Sequence, residues 1–321
     1  MNKITVTFSA LVMFFCSLVF TSTAEAQVFR TFVSTLGNDS NPCDQPFRPC
    51  RNIQAGIDKV ASKGEVVVIS SGSYQPFTAN KSVTVLAPPG IHAGIDVFSA
   101  QGVIVSAGAA NTGSPDIVVL RGLTVNGLGA SFQPAGIQYV SGTALSIENC
   151  VIQGFSGNGI RIGGNGEQLF VKDTTVRNTG LNGIFVGATV TGIAVAVIER
   201  SRLENCGGGL TAVESGRVTM RDTVVLGNRG HGIFALGNSA GALVEINVEN
   251  CLVSGQTTAS GIVAGTLGSG GTVVVRVSNT TVTNNGSGIE AGGAGIVLSR
   301  GNNTVEGNGV DGTFTGAFAA K

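Results

Sequence analysis

Tryptophan is absent from this chain of 321 residues, and there are only two tyrosines, two histidines and three methionines. Charged residues make up 12% of it, with 19 Lys and Arg offset by 19 Asp and Glu. Neutrality without a basic run argues against nucleic acid and anionic membrane surfaces as partners, since both require clustered Lys and Arg. Proline is scarce, 8 residues against 49 glycines, which excludes a collagen-like repeat. Abundant Val, Ile and Leu exclude disorder. Beyond the first 26 residues no apolar run is long enough to span a bilayer.

Residues 1–26 read as an export signal. Lys3 gives a weakly positive start, and Phe8 to Phe20 is apolar. Ala24-Glu25-Ala26 offers the small-x-small pattern of a cleavage site, so the mature chain is expected to begin at Gln27. The apolar run is too short to persist as a membrane span. Met13, Phe14 and Phe15 before Cys16 are too large for a lipoprotein box. The expectation is a secreted or periplasmic protein whose mature chain does not insert into a membrane. Cys43 and Cys50 lie close together in a loop with Pro42, Pro46 and Pro49, and in an oxidising compartment they are candidates for a disulfide.

A repeat dominates the remainder. From Asp116 onward the chain reads DIVVLRGLTVNG, TALSIENCVIQG, EQLFVKDTTVRN, AVAVIERSRLEN, GRVTMRDTVVLGN, LVEINVENCLVSG and TVVVRVSNTTVTNN. Most units are followed by Gly and a branched apolar residue: Gly136-Ile137, Gly159-Ile160, Gly183-Ile184, Gly209-Leu210, Gly232-Ile233, Gly261-Ile262 and Gly288-Ile289. Their spacings are 23, 24, 26, 23, 29 and 27 residues. Within a unit, apolar and polar residues alternate with the period of a strand. Strands of three to five residues cannot bury a face alone. Stacked as parallel rungs about 4.8 Å apart, they enclose one continuous apolar interior. Asn and Gly at the bends supply tight or left-handed backbone. Leucine-rich repeats need a denser Leu pattern, and a propeller blade needs about 40 residues. A calcium-binding β-roll needs an Asp that Gly292-Gly293-Ala294-Gly295 lacks.

Aligning the units puts Arg121, Glu148, Lys172, Glu199, Arg221 and Glu249 at one position, with signs alternating throughout. In a parallel in-register stack such a column forms a ladder of opposite charges, each pair worth a few tenths of a kcal/mol up to about 1. The next column reads Asn149, Asp173, Arg200, Asp222, Asn250. The same alignment separates Cys150 from Cys251 by four rungs, about 19 Å, far beyond disulfide reach. These two and Cys206 are expected to be reduced ladder residues.

A solenoid exposes an apolar cross-section at each end and needs caps. Arg51 to Ala61 carries Ile53, Ile57 and Val60 at helical spacing and is the expected N-terminal capping helix. First rungs are expected at Glu65 to Ser70 and Ser82 to Ala87, and a last irregular one at Asn302 to Val305, followed by a tail with Phe314 and Phe318. The organisation expected is a signal peptide over 1–26, an N-terminal cap with the disulfide loop over 27–64, a parallel β-helix over 65–305 and a C-terminal cap or tail over 306–321. The fold class is all-β, a single-stranded right-handed parallel β-helix. The opening, Phe32-Val33-Ser34, Gly37, Asp39, Asn41-Pro42-Cys43, leads through Pro49-Cys50 into Ile53-Gln54-Ala55. It resembles secreted bacterial right-handed β-helix proteins of the pectate-lyase-like superfamily, in a branch without an assigned activity. The resemblance spans essentially the whole mature chain and implies the fold. One solenoid hosts many activities, so it does not imply one of them.

The superfamily includes pectate lyases, polygalacturonases, epimerases and tailspike-like glycosidases. Gly230-His231-Gly232 matches a G-H-G of polygalacturonases, but neither their D-D pair nor their R-I-K is present. Inverting hydrolysis requires two carboxyl groups, and a lone His does not replace them. His231 falls where neighbouring units carry Asn158, Asn182 and Gly208, and reads as a bend residue; His92 lies in a Pro-Gly turn. The W-x-D-H segment of pectate lyases is missing, and the acids available for calcium are interleaved with Arg. No catalytic set, cofactor site or metal site is therefore assigned. One binding signal remains. The residue after each Gly-Ile pair should face outward, and that column reads Gln138, Arg161, Phe185, Thr211, Phe234, Val263, Glu290. Arg161, Phe185 and Phe234 are the candidate face for glycan, because aromatic rings on a long solenoid face suit an extended polymer. The functional expectation is a non-catalytic binding or scaffolding protein of the cell envelope, with extended polysaccharide as its partner. The alternative is a lyase or glycoside hydrolase of unassigned type acting on acidic glycans. Oligomeric state is not legible.

Overall fold

A computed structural model describes residues 28–98, 102–108, 116–129, 134–164, 166–188, 192–268 and 270–319. The expected signal peptide lies outside the described residues. Each repeat unit supplies three short strands, as in Ala144–Glu148, Val151–Gln153 and Asn158–Gly164, and the next coil starts at Gln168–Lys172. Strands one coil apart pair in parallel and in register, for instance Leu145 with Leu169 and Ile147 with Val171. Three parallel sheets result, with twelve, ten and nine strands among the described residues. The first runs from Val28–Val33 to Gly316–Ala317, the second from Gly72–Tyr74 to Thr304–Val305, and the third from Thr78–Ala79 to Ser287–Gly292. This is a parallel β-helix.

Alternation along the strands sends one set of side chains into the shaft. Leu145, Ile147, Ile152, Ile160 and Ile162 of one coil are wholly buried, and the same positions in other coils carry Val, Leu, Ile, Ala or Met, with Tyr74 and Tyr139 the buried aromatic exceptions. Burying an aliphatic side chain of this size stabilises by about 1.5–3 kcal/mol, and the interior repeats that gain coil after coil.

The bends are built from polar residues in columns. After the first sheet the chain turns through left-handed backbone at Gly122, Asn149, Asp173, Arg200, Asp222, Asn250 and Asn279. The following column is Cys150, Thr174, Ser201, Thr223, Cys251, Thr280. Each hydroxyl or thiol in it donates to the carbonyl two residues back, such as Thr174 to Lys172 (2.9 Å) and Cys251 to Glu249 (3.1 Å). Before the third sheet the buried Asn228, Gln256 and Asn285 stack, followed by the half-buried Asn308. Gln256 N–H donates to Asn285 Oδ1 (3.1 Å), and Asn285 Nδ2 donates to the Val253 carbonyl (3.1 Å). These bonds satisfy backbone groups that a bend would otherwise bury unpaired.

Arg121, Glu148, Lys172, Glu199, Arg221 and Glu249 are successive register partners on the outer face of the first sheet. Arg121 pairs with Glu148 at 2.7 Å, and Arg221 with Glu199. Beside them Arg200 donates two bonds to the Asp173 carboxylate, at 2.8 and 3.1 Å.

At the N-terminal end, Cys43 and Cys50 form a disulfide with their Cα atoms 5.1 Å apart, and Cys150, Cys206 and Cys251 are free and buried. The helix α1 (Ile53–Lys59) is shorter than the pattern Ile53, Ile57, Val60 predicts. Val60 is extended and opens the strand Val60–Val68, where it pairs with Val28. A β-branched side chain with a sheet partner available favours the strand over another helical turn. Ile53 and Ile57 of α1 are fully buried. The Asp39 carboxylate accepts the N–H groups of Arg51 (2.8 Å) and Asn52 (2.9 Å), tying the disulfide loop to the helix start. At the other end Thr304–Val305 pairs with Thr281 and Val282, Gly316–Ala317 pairs with Leu298 and Ser299, and Phe314 packs on the core.

Candidate functional site

The outer face of the third sheet carries the column that follows each Gly-Ile pair. Gln138, Arg161, Phe185, Thr211, Phe234, Val263 and Glu290 are successive register partners across seven strands. What fixes the register is the glycine before it. A Cβ at Gly159 would lie 2.2 Å from Val176 Cγ1 and 2.7 Å from the Gly183 carbonyl oxygen. Only glycine lets the coil close there, so the side chain two positions on is committed to the outside.

Arg161 and Phe185 are brought together, with the guanidinium carbon 5.7 Å from the ring centroid. The Phe185 ring lies down over Gly187, where a Cβ would come within 2.8 Å of Cε1. The ring is half-buried, with part of it left to solvent. Phe234 stands two rungs away, about 10 Å by strand spacing. Its ring meets the His231 ring at 5.1 Å between centroids, tilted by 40°. His231 Nδ1 accepts the Ser260 N–H at 3.3 Å, which leaves the neutral ring its proton on Nε2 as a donor. Thr211, between the two phenylalanines, donates to Asn182 Oδ1 (2.7 Å), and Asn182 Nδ2 donates to Asn158 Oδ1 (3.1 Å).

Beside this column a cleft of about 280 Å³ is walled by Leu181, Asn182, Thr211, His231 and Phe234. Gly180, Gly207, Gly208 and Gly230 leave it open. Asn158, Asn182, Gly208 and His231 follow one another down the bend, and Gly208 interrupts the amides and leaves a notch between Asn182 and His231. A Cβ there would sit 2.8 Å from Asn182 Oδ1. Across Gly180 a second hollow of about 520 Å³ is lined by Gly154, Phe155, Asn178, Asn205 and Arg229 among others. Arg229 donates to the Gly180 carbonyl oxygen at 3.3 Å. Sequence reasoning placed Arg161, Phe185 and Phe234 on one face but set His231 aside as a bend residue. Thr211 stands there only as a member of the outward column and Asn182 only as a bend residue, and Arg229 is not singled out. The readable signal was the break in the column at Gly208. His92 is exposed, at the far end of the second sheet.

The model of the family described as right handed beta helix region matches residues 135–310, and the chain belongs to that family. No curated protein matches it. Among solved structures the chain is similar to the pectate lyase Pel9A, at 16% identity over 91% of this chain and 78% of that one, with a TM-score of 0.67. The catalytic unit of a thermostable GH87 α-1,3-glucanase from Streptomyces thermodiastaticus strain HF3-3 aligns at 17% identity over 83% of this chain and 64% of that one, with a TM-score of 0.49. The protein is a right-handed parallel β-helix whose fold is similar to that of a pectate lyase. At these identities the likeness is one of fold.

Proposed function

We propose that the protein is exported to the periplasm or the medium and there binds an extended polysaccharide, without cleaving it, along the outer face of the third sheet. The observation that carries this reading is the single register column holding Arg161, Phe185, Thr211 and Phe234, with the notch at Gly208 opening beside it. Aromatic rings at a spacing of two rungs offer apolar platforms, and Arg161, Asn182, Thr211 and His231 offer donors and acceptors that fix orientation. The Cys43–Cys50 disulfide supports an oxidising compartment. Helix α1, with Ile53 and Ile57 inward, serves as the cap that keeps water and other chains off the first rung.

The test is a glycan array on the purified protein, with product analysis on acidic and neutral polysaccharides. Binding without products is expected. Phe185→Ala with Phe234→Ala should lower affinity at least tenfold. Gly208→Asn, which fills the notch and displaces the Asn182 amide, should do the same with an unchanged circular dichroism spectrum. Affinity unchanged in both variants would reject this face. The second reading, a lyase or hydrolase on acidic glycans, is favoured by His231 standing in the cleft with Nε2–H as a donor. Product release that disappears in His231→Ala would establish it instead.

A further inference from the structure

The outer face of the first sheet carries three columns of side chains, and the polysaccharide reading uses none of them. One is the charge ladder. The middle one reads Val119, Ser146, Phe170, Val197, Thr219 and Asn247. The third reads Ile117, Ala144, Gln168, Val195, Arg217 and Glu245 in the same rungs. Stacking within one chain accounts for the alternating charges. It does not account for apolar side chains left outside beside them. Phe170 is 39% exposed, Ile117 44% and Ile193, just before the next strand, 39%.

We infer that this face binds a second copy of the same chain, the two solenoids lying antiparallel about a two-fold axis along the strand direction, between the rungs of Lys172 and Glu199. Such an axis turns the faces toward each other, keeps each column opposite itself and reverses the order of rungs. A ladder of six alternating signs is complementary to its own reverse. Lys172 then faces the partner's Glu199, Glu148 faces the partner's Arg221, and Arg121 faces the partner's Glu249. Each contact occurs twice, as a closed two-fold interface requires. At the centre Phe170 meets the partner's Val197, and Gln168 meets the partner's Val195. Moving the axis by half a rung spacing, onto Lys172 itself, sets Lys172 against its own copy and Glu148 against Glu199. The charges therefore select one register and penalise the adjacent ones.

Six rungs of five-residue strands present roughly 500 Å² on each copy, about 1,000 Å² in total, which is the lower limit for a specific interface. The dimer is accordingly weak, concentration-dependent and weakened by salt.

Sedimentation equilibrium from about 1 to 200 μM at low ionic strength tests it, with three expected results. The unmodified protein dimerises in the micromolar range and dissociates in 1 M salt. Lys172→Glu and Glu199→Lys, each with an unchanged circular dichroism spectrum, are monomers, because each sets like charges across the axis. An equimolar mixture of these two variants dimerises again, since one contact then sets the introduced Glu against the introduced Lys and the other sets the native Glu199 of one copy against the native Lys172 of the other. Recovery on mixing cannot come from a folding defect and is the decisive arm. An unmodified protein that stays monomeric at 200 μM overturns the proposal, as does a dimer indifferent to either substitution or a mixture that stays monomeric. Glycan binding at the third sheet is read separately, so loss of one does not entail loss of the other.

Discussion

At the scale of single residues, the column Cys150, Thr174, Ser201, Thr223, Cys251, Thr280 shows what a bend position demands. It needs a small side chain whose γ atom donates to the carbonyl two residues back. Cysteine meets that demand as Ser and Thr do, which is why two thiols sit in a hydroxyl column without a metal or disulfide role to explain them. Burial, the largest influence on both, pushes the Cys150 and Cys251 thiols up to about 11 from an ordinary value of 9.0. The sign follows from linkage. Between about pH 9 and 11 the unfolded chain releases these protons while the folded chain keeps them, so stability falls as pH rises, by ~1 kcal/mol per pH unit for each thiol. The double variant Cys150→Ser, Cys251→Ser should unfold in urea within about 1 kcal/mol of the parent at pH 7. Its stability should decline less steeply than the parent's from pH 9 to 11. Parallel decline in the two proteins would mean the thiols are already accessible in the folded state.

At the scale of the coil, one glycine per turn decides whether a rung closes. Gly159 and Gly163 lie on the same strand, Asn158–Gly164, and provide an internal comparison. A Cβ at Gly159 collides with Val176 and with the Gly183 carbonyl, whereas at Gly163 the nearest atom, the Gly187 carbonyl oxygen, is 3.9 Å away. Gly159→Ala should therefore lower stability by ~2–3 kcal/mol. Gly163→Ala should leave it within about 0.5 kcal/mol or raise it slightly by restricting the unfolded chain. Thermal melts of the two variants measure the difference. The same steric demand made the rungs readable from sequence after Asp116, since Gly-Ile recurs wherever the coil must close. Before Asp116 the reading stops short. The strands Ala93–Asp96 and Val103–Ser106 are not read as rungs, although Gly102-Val103 holds the same place as Gly136-Ile137 and a Cβ at Gly102 would lie 2.1 Å from the Gly136 carbonyl oxygen. The end of α1 was misjudged because Val60 fits the helical spacing, while a partner 32 residues earlier, Val28, claims it for the sheet. The cleft was half legible for a related reason. Phe185 and Phe234 announce themselves by type, and the alignment already sets Gly208 among Asn158, Asn182 and His231, but the hollow beside Gly208 shows only in the packed coil.

At the scale of the whole molecule, a solenoid is close to one-dimensional, because each coil touches its neighbours and little else. Damage at one end should therefore stay there. The Cys43–Cys50 link closes a short loop of sequence separation 7, and closing a loop of that size is worth about 2 kcal/mol on chain entropy alone. The loop also positions Asp39 at the start of α1, and the Lys59 ammonium reaches back to the Asp39 carbonyl. Reduction should loosen the segment that this network holds, Val28–Val33 and Ile53–Lys59, by raising its rate of amide hydrogen exchange. Protection of the strands from Ala144–Glu148 to Leu252–Ser254 should be unchanged, because several rungs with complete aliphatic cores stand between. Glycan affinity, if it resides near Arg161 to Phe234, should survive the same treatment. Hydrogen exchange with and without a thiol reductant, read peptide by peptide, separates this from the opposite case. Uniform loss of protection along the chain would mean that the N-terminal end nucleates the entire stack and that the coils do not hold themselves.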